Sequence, residues 1–174
     1  MNHSVLISAQ QIASRVREMG AQISLDYRGR DLVLVGVLTG AVTFLADLIR
    51  CIDLPLELDF VAAASYGTET SSSGEVRLLK DLGHPVAGKH VLLTEDIVDT
   101  GLTLRYLLET LHARHPASIA TCVLLDKPSR RLVDVPVMYR GFEIEDRFVV
   151  GYGLDHAGKY RNLPHIAVLE DVDH

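Results

Sequence analysis

The amino-acid sequence predicts an α/β fold, with a doubly wound and mainly parallel sheet flanked by helices. Continuous apolar runs lie at residues 32–38, 90–94 and 118–125, and such runs are typical of strands that are buried on both faces. Segments with a helical spacing of apolar residues alternate with these runs. A strand–helix–strand order of this kind favours a parallel sheet with right-handed crossovers.

The individual elements follow from local patterns along the chain. Residues 8–20 place Ile12, Val16 and Met19 on one face and end at Gly20, which predicts a helix. The other expected elements are a strand at 32–38, a helix at 41–51, strands at 56–64 and 90–94, a helix at 103–114, and a strand at 118–125. Three short strand-like pieces at 135–139, 148–152 and 166–169 predict the edge of the sheet and a small hood over it.

Length and charge restrict the class of protein. The chain has 174 residues, a length suited to one domain over residues 1–174. Its 17 basic and 23 acidic side chains give a net charge of -6, which argues against a nucleic-acid partner because such partners favour a basic surface. The longest apolar run is too short to span a membrane, and the N-terminus lacks a secretory signal. We therefore expect a cytoplasmic protein with no membrane partner.

A polar segment at about residues 65–75 differs from the rest of the chain. It begins with Ser65 and Tyr66 and is rich in serine and glycine, a composition that disfavours packing. A passive surface hairpin and a mobile lid over a binding site are both compatible with it. Composition alone does not distinguish these two interpretations.

Candidate binding residues follow the apolar run at 90–94, at the edge of the sheet where open α/β folds bind ligands. Glu95 and Asp96 could accept hydrogen bonds from sugar hydroxyls, and the turn of Asp99, Thr100 and Gly101 leads into a helix. A helix N-terminus offers free N–H groups and a positive dipole end, which favour phosphate. A capped helix preceded by a solvated acidic run is the plainer interpretation, but a cap does not require two acids directly before the turn.

The segment at residues 92–104, LLTEDIVDTGLTL, resembles the phosphoribosyl pyrophosphate motif of type I phosphoribosyltransferases. The segment at 38–41 is similar to the family's pyrophosphate loop, and the segment at 125–128 is similar to its purine-reading segment. The segments at 148–155 and 160–163 are similar to the hood of the family's 6-oxopurine enzymes, in their short bacterial form. The resemblance therefore implies the type I phosphoribosyltransferase fold. It also implies a hood formed mainly by residues 135–174 with the N-terminal segment, and a lid that starts at Ser65 and Tyr66.

The resemblance also implies roles for individual residues. Asp99 is expected to serve as general base or acid near N7 of the purine, and Lys127, Phe148 and Val149 are expected to bind the purine. Asp155, Glu95 and Asp96 are expected to take part in binding Mg²⁺. The expected contacts to phosphoribosyl pyrophosphate come from Thr39, Gly40, Glu95, Asp96, Thr100, Gly101, Leu102, Thr103 and Arg161. The family also has a cis peptide bond directly before the position of Thr39, where many relatives carry lysine or arginine.

The implied activity is purine salvage. The 5-phosphoribosyl group of phosphoribosyl pyrophosphate would pass to N9 of hypoxanthine, and also of guanine, giving IMP or GMP and pyrophosphate. A homodimer or homotetramer is expected. Two alternatives stay open at this point: another purine or pyrimidine phosphoribosyltransferase, and an RNA-binding regulator of a pyrimidine operon with the same fold. The regulator needs a basic face, and the net charge of -6 argues against such a face.

Overall fold

A computed structural model describes residues 2–66, 75–170 and 172. The strands of the described residues are β1 (His3–Ile7), β2 (Leu32–Val37), β3 (Leu56–Tyr66), β4 (Glu75–Lys80), β5 (His90–Val98), β6 (Ser118–Asp126), β7 (Tyr139–Glu143), β8 (Val149–Val150) and β9 (Ile166–Leu169). The α-helices are α1 (Ala9–Asp26), α2 (Val42–Ile49) and α3 (Leu102–His112), and a short 3₁₀ helix covers Pro128–Arg130.

The main sheet has six strands in the order β4-β3-β2-β5-β6-β7. All neighbouring pairs are parallel except β3 and β4, which are antiparallel. The chain leaves β2 toward β3 on one side and leaves β5 toward β6 on the other, so the strand order reverses between β2 and β5. Ligands of open α/β sheets bind beyond the carboxyl ends of the strands at such a point.

Two apolar cores cover the two faces of this sheet, which is why the central strand β2 is apolar along its whole length. All six residues of β2 are buried. Leu32 and Leu34 belong to the core beneath α1 and α2, whereas Val33 and Val35 belong to the core beneath α3. The predicted doubly wound α/β fold is therefore confirmed, with helices on both faces of a mainly parallel sheet.

A second sheet of three strands, in the order β1-β9-β8, joins the N-terminal segment to the end of the chain. Both pairings in this sheet are antiparallel. The strand β7, although it lies within residues 135–174, pairs with β6 and forms the edge of the main sheet.

Several predicted elements have different bounds in the structure; the strand expected at 90–94, for example, continues to Val98 and includes Glu95 and Asp96. The strand expected at 135–139 was misplaced, because Pro136 has no N–H to donate and the chain joins the sheet only at Tyr139. The helix expected to end at Gly20 continues to Asp26. Gly20 thus lies inside the helix, and glycine is favoured there because a Cβ atom would come within 2.5 Å of Cys51 Cβ. No helix in the described ranges is long and apolar enough to cross a membrane.

Candidate active site

The turn after β2 forms one wall of the site. The Leu38–Thr39 peptide bond is cis, as the resemblance implies. The Val42 N–H donates to Thr39 O over 3.1 Å. Gly40 is enclosed on two sides, since a Cβ atom there would overlap Asp96 Oδ2, and one on Gly153 would overlap Gly40 O. The structure thus brings the turn after β2, the end of β5 and the hood into contact at Gly40.

Two adjacent acids lie at the carboxyl end of β5. Glu95 is buried and Asp96 is half-buried, and the Ile97 N–H donates to Asp96 Oδ1 over 2.7 Å. Burial, together with the neighbouring Asp96 carboxylate, raises the pKa of Glu95 well above its usual range. Burial also raises the pKa of Asp96, while the nearby Arg161 guanidinium favours its ionised form. The pair therefore gains from a ligand that supplies hydroxyl donors or positive charge.

The turn into α3 has the geometry of a phosphate site. Gly101 adopts a φ of 86° at the N-cap of α3 and has no side chain with which to cap the helix. The Leu102 N–H donates to Thr100 Oγ1 over 3.3 Å, and Thr103 lies in the first turn of α3. The free N–H groups and the positive dipole end of α3 therefore face the carboxyl edge of the sheet.

The segment after β6 packs against this turn and hydrogen-bonds to it. The N–H groups of Leu132 and Val133 both donate to Thr100 O, over 2.9 and 3.3 Å. A Cβ atom at Gly101 would lie 3.0 Å from Val133 O. Position 101 therefore favours glycine both for its positive φ and for close packing against this segment.

Asp99 and Lys127 come together because β5 and β6 are parallel neighbours. Val98 and Asp126 occupy paired positions of these strands, so the residue that follows each strand lies at the same edge. The Lys127 N–H donates to Val98 O over 3.0 Å. Lys127 is only 7% exposed, and its Nζ lies 3.8 Å from Asp146 Oδ1.

Sequence reasoning missed the residues that surround Asp99 and Lys127. Arg130 Nε lies 2.7 Å from Asp99 Oδ1, and Arg130 also approaches Asp146. Asp126 is fully buried and binds the side chains of Arg131 and Arg140 over 2.8 and 2.7 Å. A signal for Asp126 was present, because a carboxylate that ends an apolar strand needs a cationic partner, and one of its two partners, Arg131, follows within five residues.

The predicted purine-binding residues Phe148 and Val149 lie at the start of β8. Phe148 is half-buried, and its ring meets the His156 ring edge-on, with centroids 5.3 Å apart. Val149 is buried and pairs with Val168 of β9. Phe148 lies two residues after Asp146, the residue that approaches Lys127.

Asp155 and Arg161 form the end of the site nearest Gly40. Arg161 Nη2 lies 3.2 Å from Asp155 Oδ1, and its Nη1 donates to Gly153 O over 2.6 Å. The Gly158 N–H donates to Asp155 Oδ2 over 2.9 Å. Within residues 2–66, 75–170 and 172 no three His, Cys, Asp or Glu side chains lie close enough to hold a metal ion. The chain thus does not assemble Asp155, Glu95 and Asp96 into a metal cage.

The predicted lid lies mostly outside the described residues, which omit 67–74. Ser65 and Tyr66 are exposed at the end of β3, where they pair with Val76 and Glu75 of β4. The Arg77 guanidinium lies over the Tyr66 ring, 5.2 Å from its centroid. The lid interpretation therefore stays a prediction.

Comparison with known proteins agrees with this geometry. The family profile described as phosphoribosyl transferase domain matches residues 5–157. The chain belongs to the phosphoribosyltransferase family. It is 50% identical to the hypoxanthine phosphoribosyltransferase of Haemophilus influenzae, over 96% of each chain. It is 51% identical to the hypoxanthine-guanine phosphoribosyltransferase of Bacillus subtilis, over 95% of this chain and 92% of that one.

Among solved structures of phosphoribosyltransferases, a hypoxanthine phosphoribosyltransferase from Staphylococcus aureus superposes with a TM-score of 0.93. Its sequence is 46% identical, and the match covers 96% of this chain and 91% of that one. The resemblance stated from the sequence is therefore confirmed at the level of the family and of the fold. These relatives favour the 6-oxopurine interpretation over the RNA-binding alternative.

Proposed function

We propose that this chain is a purine-salvage enzyme that transfers the 5-phosphoribosyl group of phosphoribosyl pyrophosphate to N9 of hypoxanthine or guanine. The products are IMP or GMP and pyrophosphate. The observation that carries the proposal is the pair of Asp99 and Lys127 at neighbouring strand ends, beside the uncapped start of α3. A carboxylate and an ammonium group at the same edge of the sheet suit a base that offers an N–H donor next to a carbonyl acceptor.

The donor substrate, phosphoribosyl pyrophosphate, binds along the carboxyl edge of β2 and β5. The 5′-phosphate lies in the turn of Thr100, Gly101, Leu102 and Thr103, where N–H and hydroxyl donors meet the helix dipole. Glu95 and Asp96 accept hydrogen bonds from the ribose hydroxyls. The pyrophosphate lies beside Arg161 and the backbone of Thr39 and Gly40. The position of Gly40 supports this placement, because it lies against both Asp96 and Arg161. In this proposal Asp96 binds the ribose and Arg161 binds the pyrophosphate.

The base binds between Lys127 and the hood. Lys127 donates to the 6-oxo group, Phe148 stacks on the purine ring, and the Val149 backbone contacts its edge. Because an ammonium group is a donor only, this site favours an oxo group over an amino group at C6. Adenine is therefore a poor substrate.

Asp99 is the proton acceptor of the transfer. As the N9–C1′ bond forms and the C1′–oxygen bond to pyrophosphate breaks, the proton on N7 of the base moves to the Asp99 carboxylate. Such general-base assistance commonly contributes a factor of about 10²–10⁴ in rate. Arg161 stabilises the negative charge that develops on the departing pyrophosphate.

The carboxylates of this site fit a magnesium ion that the substrate itself helps to bind. Mg²⁺ prefers oxygen ligands and keeps several waters, and it binds through one or two carboxylates plus substrate phosphates rather than in an all-protein cage. Asp155, Glu95 and Asp96 supply such carboxylates. When bound, the ion neutralises charge on the pyrophosphate and favours its departure.

The remaining properties follow from the same proposal. The chain acts as a single domain over residues 1–174, with a lid at about 65–75 that keeps water from the reacting sugar. It works in the cytoplasm as a homodimer or homotetramer. Sedimentation equilibrium of the purified chain distinguishes these two assemblies.

A steady-state assay with four bases tests the proposed activity. Hypoxanthine, guanine, xanthine and adenine are each supplied with phosphoribosyl pyrophosphate and Mg²⁺, and pyrophosphate release is measured. We expect turnover of hypoxanthine and guanine and no appreciable turnover of adenine. Turnover of adenine, or of none of the four bases, would contradict the proposal. A gel-retardation measurement with RNA at moderate salt would expose the RNA-binding alternative.

A further inference from the structure

The two oxygens of the Asp99 side chain have different surroundings. Oδ1 is buried and accepts no aligned hydrogen bond from any residue in the described ranges. The side chain as a whole is 40% exposed, so the exposed surface belongs to its other atoms and not to Oδ1. This orientation leaves Oδ2 as the oxygen that a ligand can reach.

Arg130 is the cation that faces the buried oxygen. Its Nε lies 2.7 Å from Asp99 Oδ1, as an ion pair. The Asp99 backbone is fixed separately, since Arg131 Nη1 donates to Asp99 O over 3.1 Å. Arg131 is itself anchored by the buried carboxylate of Asp126. With the backbone fixed, rotation of the side chain is the freedom that Asp99 retains, and Arg130 opposes that rotation.

Asp146 connects Arg130 to Lys127. One Asp146 oxygen lies 3.4 Å from Arg130 Nη1, and the other lies 3.8 Å from Lys127 Nζ. The four charged side chains therefore alternate in sign from Asp99 through Arg130 and Asp146 to Lys127. The two outer members are the groups that contact the purine in the proposed function, and the two inner members set their separation.

We propose that Arg130 is a positioning residue for Asp99. It binds Oδ1, holds the carboxylate in one rotamer and presents Oδ2 to N7 of the base, while Asp146 holds Arg130 and Lys127 in register. This inference rests on the proposed function, in which Asp99 accepts a proton from the purine. An arginine suits the task because its planar guanidinium can contact two carboxylates at once through different nitrogens.

A double-mutant cycle tests whether Arg130 acts through Asp99. The kcat for hypoxanthine is measured for the wild-type enzyme, Arg130→Gln, Asp99→Asn and the double variant. Half-exposed ion pairs are worth at most about 1 kcal/mol, so Arg130→Gln should lower kcat by about two- to fivefold and leave the donor KM unchanged. In the Asp99→Asn background the same change should have no effect, because coupled residues are non-additive. Equal losses in both backgrounds would overturn the proposal.

A matched control and a conservative variant separate positioning from general effects of charge. Arg114 forms a comparably exposed ion pair with Asp81 over 2.6 Å, just beyond the end of α3 opposite to the phosphate turn. Arg114→Gln removes the same charge and should leave kcat unchanged. Arg130→Lys keeps the charge and should restore part of the lost kcat. If Arg130→Lys behaves like Arg130→Gln, or if Arg114→Gln causes the same loss, Arg130 has no positioning role.

Crystal structures of the unliganded wild-type protein and of Arg130→Gln give a readout that needs no activity. We expect the Asp99 carboxylate to turn or to adopt several rotamers in the variant. An Asp99 side chain with the wild-type orientation in Arg130→Gln would overturn the proposal, whatever the activity of the variant. Failure of the wild-type enzyme to use hypoxanthine would instead count against the proposed function, and the two structures would still test the orientation of Asp99.

Discussion

Gly40 and Asp96 are in such close contact that a methyl group on Gly40 would overlap the Asp96 carboxylate. The first residue belongs to the turn after β2 and the second to the end of β5. Because these strands are neighbours at the point where the strand order reverses, the contact joins the two halves of the candidate donor site. The absence of a side chain at position 40 therefore allows this contact, which a larger residue would disturb.

Replacement of Gly40 by alanine should weaken donor binding. The added methyl group displaces the Asp96 carboxylate from its place beside Arg161, and we expect the donor KM to rise at least about tenfold while kcat changes less. Steady-state kinetics at saturating hypoxanthine measures both constants. Gly83→Ala is the control, since a Cβ atom there meets Asp59 at an ordinary distance of 3.6 Å. An unchanged donor KM for Gly40→Ala would contradict the assignment of this turn.

Replacement of Asp99 by asparagine should affect the chemical step. The amide keeps the shape of the side chain but cannot take up the N7 proton, so we expect kcat to fall at least about tenfold with little change in the donor KM. Asp53→Asn, at an exposed position, controls for the loss of one negative charge. If kcat stays the same while the donor KM rises, Asp99 binds the donor and does not transfer the proton.

Replacement of Lys127 by methionine should affect recognition of the base. The side chain is almost fully buried, and methionine keeps most of its volume without the ammonium donor. We expect the hypoxanthine KM to rise about tenfold or more, since a bond from a charged donor is worth about 1.5–3 kcal/mol, and the donor KM to stay nearly constant. Lys89→Met, whose lysine pairs with Glu57, is the control. A selective rise in the donor KM would show that Lys127 contacts the donor.

The pair of acids in β5 leads to a pH-dependent prediction. The pKa of Glu95 is raised in the folded chain, so the folded protein binds more protons than the unfolded chain between about 4.3, the usual glutamate value, and the raised pKa. Wild-type stability therefore falls as pH rises through this window. Glu95→Gln should make the ligand-free protein more stable than wild type at pH 7, and this difference should shrink as the pH falls below the window.

The same Glu95→Gln variant should bind the donor at least about tenfold more weakly, because an amide is a poorer acceptor for ribose hydroxyls than a carboxylate. Thermal unfolding across the pH range and calorimetric titration with phosphoribosyl pyrophosphate measure the two effects. Glu109→Gln, at an exposed position of α3, should change neither. A Glu95→Gln variant that is less stable than wild type at neutral pH would show that Glu95 supports the fold.

The elements that the sequence predicts well are those whose pattern reports burial on both faces. β2 is buried at every position, and its continuous apolar run identified it directly. β1 is exposed at four of its five residues, and β4 is an antiparallel edge strand. Neither carries such a pattern, because what fixes them is pairing with a distant part of the chain.

The candidate site divides in the same way. Asp99 and the turn into α3 are local in sequence, so the motif alone indicated them. Arg130 and Asp146 were missed because their contacts with Asp99 and Lys127 depend on the course of the 3₁₀ helix after β6 and on a loop 16 residues farther along the chain. The register between β5 and β6 brings Asp99 and Lys127 to the same edge of the sheet, but no local pattern encodes the charged residues that join them.

The most direct test of the account is a crystal structure of the enzyme with IMP bound. We expect Lys127 Nζ within about 2.6–3.2 Å of the 6-oxo group and one Asp99 oxygen at a similar distance from N7. The 5′-phosphate should lie in the turn of Thr100–Thr103, and the ribose hydroxyls should face Glu95 and Asp96. A nucleotide whose base lies away from both Lys127 and Asp99, or whose phosphate lies outside that turn, would contradict the account.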